Sequence, residues 1–150
     1  MQRPILNLSE APVLSDTHGD HFAYSMSPLA AGLGAKSIGA NVTRVPPGKA
    51  AFPIHHHRAN EEHFFILAGS GVLRYGQQNY DVRVNDYIVT PPGGPELAHQ
   101  LVNTGDEDLV YLAISTMAVP EVVGYPDTGK TGVRIAPGRE PASRFLVDED

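Results

Sequence analysis

The sequence predicts an all-β protein, on three observations. Gly and Pro account for 15 and 13 of the 150 residues and recur too often for a long amphipathic helix to form. Short segments rich in Val, Ile, Tyr and Phe alternate with turn residues at regular intervals, a pattern typical of a β-sandwich or barrel. A chain of this length makes one domain of ordinary size, so a single barrel or sandwich accounts for residues 1–150.

Seven segments in the centre of the chain have the composition and length of strands. They are residues 41–45, 62–68, 72–75, 80–84, 87–90, 99–102 and 109–115. The breaks between them, such as Gly69-Ser70-Gly71 and Asn85-Asp86, contain residues that tolerate a positive φ or bond to their own backbone. Hairpins are therefore expected through a core barrel at about residues 38–117. Residues 1–37 and 118–150 are less regular, and we interpret them as terminal arms.

The composition excludes several classes of protein. With no cysteine, disulfides are excluded, and any metal must be held by His, carboxylate or carbonyl groups. A net charge of −6 without a cluster of Lys or Arg argues against a nucleic-acid partner. No apolar run reaches the roughly 20 residues that span a bilayer, and Asn7, Ser9 and Glu10 interrupt the apolar stretch that a signal peptide needs. We therefore expect a cytoplasmic protein without a membrane partner.

The most unusual segment, residues 47–69, contains three consecutive histidines followed by two glutamates. Because residues two apart on a strand share a face, His55 and His57 point the same way while His56 points oppositely. Glu62 begins the next predicted strand, and its carboxylate completes a third ligand position if that strand pairs alongside. The same residues also fit an exposed histidine loop with an ordinary surface charge. A further histidine, His99, begins a later strand after a loop rich in Pro and Gly.

Two spacings in this part of the chain resemble the two motifs of the cupin superfamily. The first motif reads G-x5-H-x-H-x3 or 4-E-x6-G, and the chain has Gly48-x6-His55-x-His57-x4-Glu62-x6-Gly69. The second reads G-x5-P-x-G-x2-H-x3-N, and the chain has Asn85-x5-Pro91-x-Gly93-x5-His99-x3-Asn103. The chain departs from the family by one extra residue before His55, by Asn85 in place of a glycine, and by three extra residues before His99.

The resemblance implies a single conical antiparallel β-barrel, the jelly roll or double-stranded β-helix, with one divalent transition metal near its wider mouth. The matching ligand positions are His55, His57, Glu62 and His99. Glu96 is the alternative to His99, because it takes the histidine's place if the insertion lies after it. The intact spacing from His99 to Asn103 favours His99. Such a set suits Fe, Mn, Ni, Zn, Co or Cu, so it does not specify the ion.

Strand alternation also assigns the neighbours of these ligands. Phe64 is expected to face inward beside the metal, as a packing residue or as a substrate contact. Phe65 and Leu67 face outward and pack on flanking segments or on a second subunit, which together with the resemblance suggests a homodimer. His56 and His63 alternate away from the site and are expected on the outer face.

Three functions fit these features, because cupins resemble one another in fold more than in activity. The first is a metal-dependent enzyme of the oxygenase, isomerase or decarboxylase type that acts on a small polar metabolite. The second is a non-catalytic module that binds a sugar or another small molecule, and the third is a structural protein with vestigial histidines. In the C-terminal segment GYPDTGK, Lys130 lies in a surface turn or offers its charge to an anionic substrate at the barrel mouth.

Overall fold

The computed structural model of the protein describes residues 3–136 and the backbone of residues 144–148. These residues form thirteen strands and three short 3-10 helices, and every strand pair is antiparallel. The strands are β1 (Leu14–His18), β2 (Phe22–Pro28), β3 (Ile38–Val45), β4 (His56–His57), β5 (Glu62–Ala68), β6 (Ser70–Tyr75), β7 (Gln78–Arg83), β8 (Tyr87–Thr90), β9 (His99–Val102), β10 (Leu109–Thr116), β11 (Glu121–Tyr125), β12 (Lys130–Arg134) and β13 (Arg144–Asp148). The all-β prediction is confirmed, and no helix in the described residues is long and apolar enough to cross a membrane.

The strands are arranged in two layers around a common core. The first layer is a six-stranded sheet in the order β1-β2-β3-β10-β5-β8. The second contains the sheets β7-β6-β9 and β13-β12-β11-β4, which are joined by a single bridge between His55 and His99. In that bridge the amide of His55 donates to the carbonyl of His99 at 3.1 Å, and the amide of His99 donates to the carbonyl of His55 at 2.8 Å.

The central strands lie where the sequence predicts them, because their hydrophobic alternation is strong. Phe64 and Ile66 of β5 are buried, and they pack in one core with side chains from both layers. The other buried members of that core are Val45, Ala51, Leu73, Val82, Ile88, Leu101, Leu109 and Tyr111. Burying an apolar side chain of this size contributes about 1.5–3 kcal/mol. This core therefore accounts for much of the stability of the fold.

Two turns show why the hairpin register is well defined. Asn85 adopts a φ of 74°, as expected for an asparagine in a tight turn, and its amide donates to the carbonyl of Ile66 at 3.0 Å. Gly69 has a φ of 76°, and a Cβ there would lie 3.0 Å from the carbonyl carbon of Asp108. A side chain at position 69 would therefore meet both backbone strain and a steric clash.

The two arms are more regular than the sequence predicts. Within the first, β1 and β2 extend the six-stranded sheet beyond β3. All residues of β1 are exposed, so this strand has no apolar alternation that a sequence pattern could reveal. In the second arm β11 and β12 form a hairpin, and β11 pairs with β4 through Val123 opposite His57 and Gly124 opposite His56.

Gly124 allows β11 to approach β4 closely. The ring of His56 lies against the Cα of Gly124, and a Cβ built there would lie 2.7 Å from Cε1 and 3.0 Å from Cδ2 of that ring. His56 has little room to move, because it is 5% exposed and its Nδ1 contacts the carbonyl of Gly93 at 3.0 Å. The absence of a side chain at position 124 thus keeps the C-terminal hairpin on β4.

We expect Gly124→Ala to destabilise the protein by about 1–3 kcal/mol, the usual cost of overpacking a dense interior. Urea unfolding followed by circular dichroism measures this change. Gly32→Ala is the matched control, because a Cβ at Gly32 would meet no heavy atom within 4 Å. Equal stability of the two variants would contradict the packing role assigned to Gly124.

Candidate metal centre

Three of the candidate ligands are brought together by the second layer. His55 and His57 lie two residues apart and share a face, as their spacing predicts. His99, at the start of β9, stands directly opposite His55 in the backbone bridge, so their side chains also lie on the same side. The ring centroids of His55 and His99 are 4.7 Å apart, and those of His55 and His57 are 5.0 Å apart.

The fourth candidate ligand comes from the facing layer, where Glu62 begins β5. Its Oε2 atom lies 2.9 Å from Nε2 of His99, 3.2 Å from Nε2 of His57 and 3.8 Å from Nε2 of His55. One potential ligand atom from each of the four residues therefore falls within 4.8 Å of all the others. The candidate ligands from the two sequence motifs therefore lie close together, between the two layers.

The opposite ring nitrogen of each histidine faces an oxygen. Nδ1 of His55 lies 2.8 Å from the carbonyl of Pro53, and Nδ1 of His99 lies 3.3 Å from the carbonyl of Leu97. Nδ1 of His57 lies 3.5 Å from a carboxylate oxygen of Glu121. An oxygen acceptor favours the proton on Nδ1 and leaves the lone pair on Nε2. All three Nε2 atoms thus face the cluster, where a cation can replace a proton shared with the Glu62 carboxylate, as at His99.

The residues present fit a transition-metal ion. Both ring nitrogens of His57 are buried and have no hydrogen-bond partner among the described residues, which is costly unless another ligand satisfies them. Three imidazole nitrogens and one carboxylate are a usual donor set for divalent iron, manganese, nickel, cobalt, copper or zinc. The side chains of His55, His57 and Glu62 are 15–18% exposed, so the cluster is shielded from solvent but can be reached from it.

The electrostatics of the cluster favour a cation. Burial opposes ionisation of Glu62, but the three histidines hold the pKa of Glu62 well below its ordinary value. Burial likewise disfavours the charged form of His57, yet the carboxylates of Glu121 and Glu62 raise the pKa of His57 to about 9. Burial lowers the pKa of His99, and Glu62 offsets this only in part. Two ionised carboxylates therefore lie beside one protonated imidazole, and a divalent ion can replace that proton.

Aromatic side chains close the inner side of the cluster. Phe64 faces inward as predicted, with its ring centroid 5.8 Å from that of His99 and 5.7 Å from that of Tyr111. Tyr111 is buried, and burial raises the pKa of its hydroxyl above the ordinary value. A cavity of about 30 Å³ lies among Phe52, His55, Phe64, His99 and Tyr111. It has room for about two water molecules at roughly 10–15 Å³ each.

The C-terminal hairpin lies beside the cluster. The ring of Tyr125 is 6.2 Å from that of His55, and Asp127 in the following turn forms an ion pair of 3.1 Å with Arg74 on β6. Lys130 begins β12 directly opposite Tyr125, so their side chains leave the sheet on the same face. The segment predicted as a surface turn is thus a turn only at residues 126–129, between two strands.

Three further sequence predictions have clear outcomes. Glu96, the alternative to His99, is exposed in a 3-10 helix, where its carboxylate accepts a hydrogen bond of 3.0 Å from the amide of Gly94, and it lies outside the cluster. His63 does point outward, with Glu61 2.7 Å from its Nε2 and the Tyr87 hydroxyl at its Nδ1. His56 points away from the cluster but is buried, because β11 covers it.

Sequence reasoning missed Glu121, which is 1% exposed at the start of β11. Its carboxylate accepts hydrogen bonds from the amides of Arg58 and Ala59 at 3.0 Å and of Asn60 at 2.9 Å, and from the Asn60 side chain. Burial acts to raise the pKa of Glu121, but the nearby His57 and the backbone donors together lower it to about 2. A lone acidic residue in the apolar segment AVPEVVGY was the available signal.

Asn60 completes this buried polar cluster. Its Oδ1 accepts hydrogen bonds from the Thr116 hydroxyl at 2.9 Å and the Ala118 amide at 2.7 Å, and its Nδ2 donates to the Ala118 carbonyl at 3.0 Å. These bonds join the turn after β4 to the last residue of β10 and to the segment that leads into β11. The position of the turn that follows the two cluster histidines therefore depends on the C-terminal hairpin.

We expect Asn60→Ala to lower the free energy of unfolding by about 3 kcal/mol, since each buried polar group left without a partner costs about 1–3 kcal/mol. Chemical denaturation gives this quantity directly. Asn79→Ala is the control, because Asn79 is exposed in β7, and its change is expected to stay within about 0.5 kcal/mol. The assigned role of Asn60 is contradicted if both variants unfold at the same denaturant concentration.

Comparison with protein families and curated proteins places this chain among known sequences. The family described as the cupin domain matches residues 41–115, which is half of the chain. Over 71 residues the chain is 31% identical to the oxalate-binding protein of Thermotoga maritima, an alignment that covers 47% of this chain and 55% of that protein. An uncharacterized protein of Methanocaldococcus jannaschii is 32% identical over a segment of the same length, which covers 54% of that protein. The chain thus spans about half the length of these curated relatives.

Two solved structures share the fold over almost the whole chain. One is a putative sugar phosphate isomerase from Acidithiobacillus ferrooxidans, with a TM-score of 0.82 and 26% identity, covering 96% of this chain and 91% of that one. The other is a sugar phosphate isomerase of the cupin superfamily from Silicibacter pomeroyi, with a TM-score of 0.82 and 22% identity, covering 97% and 92%. The second likeness supports the fold alone.

Proposed function

This chain belongs to the cupin family, and from that premise we propose that it is a metal-dependent enzyme that acts on a small polar metabolite. The observation that carries the proposal is the convergence of three histidine Nε2 atoms on the Glu62 carboxylate. Four such ligands would leave positions on a transition-metal ion open to water or substrate, as a catalytic site requires. The proposed ligands are His55, His57, Glu62 and His99.

In this proposal the chain's own residues have distinct tasks. His55, His57 and His99 present neutral nitrogen donors, while Glu62 contributes one negative charge and lowers the net charge of the filled site. Phe64 and Tyr111 line the inner side of the cluster and leave only a small cavity beside it. The bound ion would supply a Lewis acid that polarises an oxygen of the substrate.

Among the reaction types that suit this site, isomerisation of a hydroxyl-rich molecule is the best supported. The support is the likeness to the putative sugar phosphate isomerase of Acidithiobacillus ferrooxidans, which extends over 96% of the chain, beyond the residues 41–115 that match the cupin domain. Lys130, on the same face as Tyr125, is the proposed contact for an anionic group of such a substrate. Loss of the charge in Lys130→Ala would then raise KM more than it lowers kcat.

A second candidate function is a module that binds a small molecule without converting it. The likeness to the oxalate-binding protein of Thermotoga maritima, 31% identity over 71 residues, favours this alternative. The two functions differ in turnover. The metal-loaded protein can be incubated with sugar phosphates and small carboxylic acids and the mixture analysed by mass spectrometry. An enzyme would form a product, whereas a binding module would leave the compounds unchanged.

We also propose that the protein is a homodimer that works in the cytoplasm and binds no nucleic acid, in keeping with its charge of −6. The outer face of β5, β8 and β10 supports the dimer. Leu67, Tyr87 and Val89 are 42–60% exposed on this face, beside the partly buried Phe65. Exposed apolar side chains grouped on one face of a sheet are typical of an interaction surface.

We expect the purified protein to contain about one divalent transition-metal ion per chain, as four ligands around one point require. His57→Ala is expected to lose that ion, and Glu96→Ala and His63→Ala to keep it, because Glu96 is exposed and His63 points outward. Elemental analysis by mass spectrometry measures the content. Retention of metal in a His99→Ala variant together with its loss in Glu96→Ala would overturn the ligand assignment.

Removal of the ion is expected to destabilise the protein, since a ligand present at about 100 times its Kd contributes about 2.7 kcal/mol. The melting temperature should therefore fall after treatment with a chelator and recover when the metal is restored. A melting temperature that does not respond to chelator would favour vestigial histidines over the proposed enzyme.

We expect a charge on this outer face, as in Val89→Asp on the edge strand β8, to shift the protein from dimer to monomer in analytical ultracentrifugation. A charge buried without a partner in an interface costs several kcal/mol. Tyr80→Asp is the control, because Tyr80 is 52% exposed on β7, which belongs to the other layer. A wild-type protein that sediments as a monomer would exclude this interface.

A further inference from the structure

The carboxylate of Glu121 accepts hydrogen bonds at both of its oxygens. One of its oxygens, Oε1, accepts hydrogen bonds from the amides of Arg58, Ala59 and Val122 at 2.9–3.0 Å. The other, Oε2, accepts two from the amide and the side chain of Asn60. With five donors around it and 1% exposure, the carboxylate has one available orientation.

In that orientation Oε2 faces a histidine of the metal cluster. It lies 3.5 Å from Nδ1 of His57, a buried nitrogen that forms no hydrogen bond within the part of the chain that the structure describes. The corresponding nitrogens of His55 and His99 face neutral backbone carbonyls, so His57 is the member of the cluster that has a carboxylate behind it. A carboxylate only accepts hydrogen bonds, and it therefore keeps a proton on Nδ1 and leaves Nε2 free.

The negative charge is not needed to satisfy the turn. Neutral carbonyl or amide oxygens would accept the same backbone donors without the penalty of burying an ion, which is several kcal/mol for an unpaired charge. The neighbour that gains from a full charge at this position is the imidazole of His57. The presence of a carboxylate at position 121 is thus explained by the neighbouring imidazole of His57.

We propose that Glu121 is a positioning residue of the metal centre, which holds the His57 ring with Nδ1 protonated and with Nε2 presented to the ion. The part of this inference that concerns metal binding rests on the proposed function. The part that concerns the orientation of the His57 ring does not. It also means that the C-terminal hairpin, outside the four-ligand motif, sets the metal affinity of the site.

The test is Glu121→Gln, which keeps the size of the side chain but removes its charge. Oε1 receives three amide donors and Oε2 receives two donors from Asn60, so the new amide nitrogen takes the place of Oε2. It loses the two bonds from Asn60 and directs its hydrogens at Nδ1 of His57. The proton then moves to Nε2, where it blocks the ion. We expect affinity for Zn²⁺, measured by competition with a chromophoric chelator, to fall about 10–100-fold.

Asn103→Ala is the control for a purely structural effect. Asn103 is fully buried and bonds to the Val45 and Glu107 carbonyls and the Gly105 amide, so its loss destabilises the fold without touching His57. This variant should keep wild-type zinc affinity within about twofold, since it leaves the support of His57 intact. Equal weakening of zinc binding in both variants, in proportion to lost stability, would overturn the proposal.

A second readout does not depend on the metal. The proton that the proposal places on Nδ1 of His57, facing the Glu121 carboxylate, should give a low-field resonance in ¹⁵N-histidine-labelled protein. This resonance should be present in wild type and in Asn103→Ala and absent from Glu121→Gln. If wild type binds no zinc, the proposed function fails, and this resonance alone decides the role of Glu121. A resonance that survives in Glu121→Gln, or is missing from wild type, would refute it.

Discussion

The two hydrogen bonds between the backbones of His55 and His99 are the contact on which the candidate site depends. They join the two sheets of the second layer, which are otherwise separate in strand order, and they place two imidazoles on the same side about 5.5 Å apart at the Cα atoms. Glu62 reaches the same point from the facing layer. The cluster therefore forms only when both layers are assembled, which couples the integrity of the site to that of the whole fold.

The surroundings of the cluster reduce the freedom of its side chains by different means. His55 and His99 are fixed by carbonyls of residues two positions before them, so their orientation follows from the local backbone. His57 is oriented instead by a residue far along the chain, and the strand that carries this residue is held by the contact of Gly124 with His56. The orientations of His55 and His99 thus depend on the local backbone, whereas the orientation of His57 depends on a distant part of the chain.

The sequence predicts the parts of the molecule that follow from local patterns. Strand alternation locates β5, β8 and β9 and puts His55, His57 and Phe64 on the correct faces, because a period of two is visible within a few residues. It does not locate β1, which is exposed on both faces, and it places His56 outside, because the strand that covers it comes from residues 121–125. Glu121 escaped notice for the same reason, since its partners at residues 57–60 are distant in sequence. Periodicity reports which face a residue occupies, whereas burial depends on what packs against that face.

The position of Glu121 has a consequence for how such sites are transferred between proteins. The part of the chain that matches the cupin domain ends at residue 115, before β11 begins. A graft of the four candidate ligands into another barrel would therefore carry over the donor atoms without the residue that faces His57 from behind. Barrels with the same ligand motif can differ in their terminal hairpins, and identical donor sets need not then have equal affinity or the same preference among ions. In this protein the useful unit for transplantation is the pair of motifs together with residues 118–125.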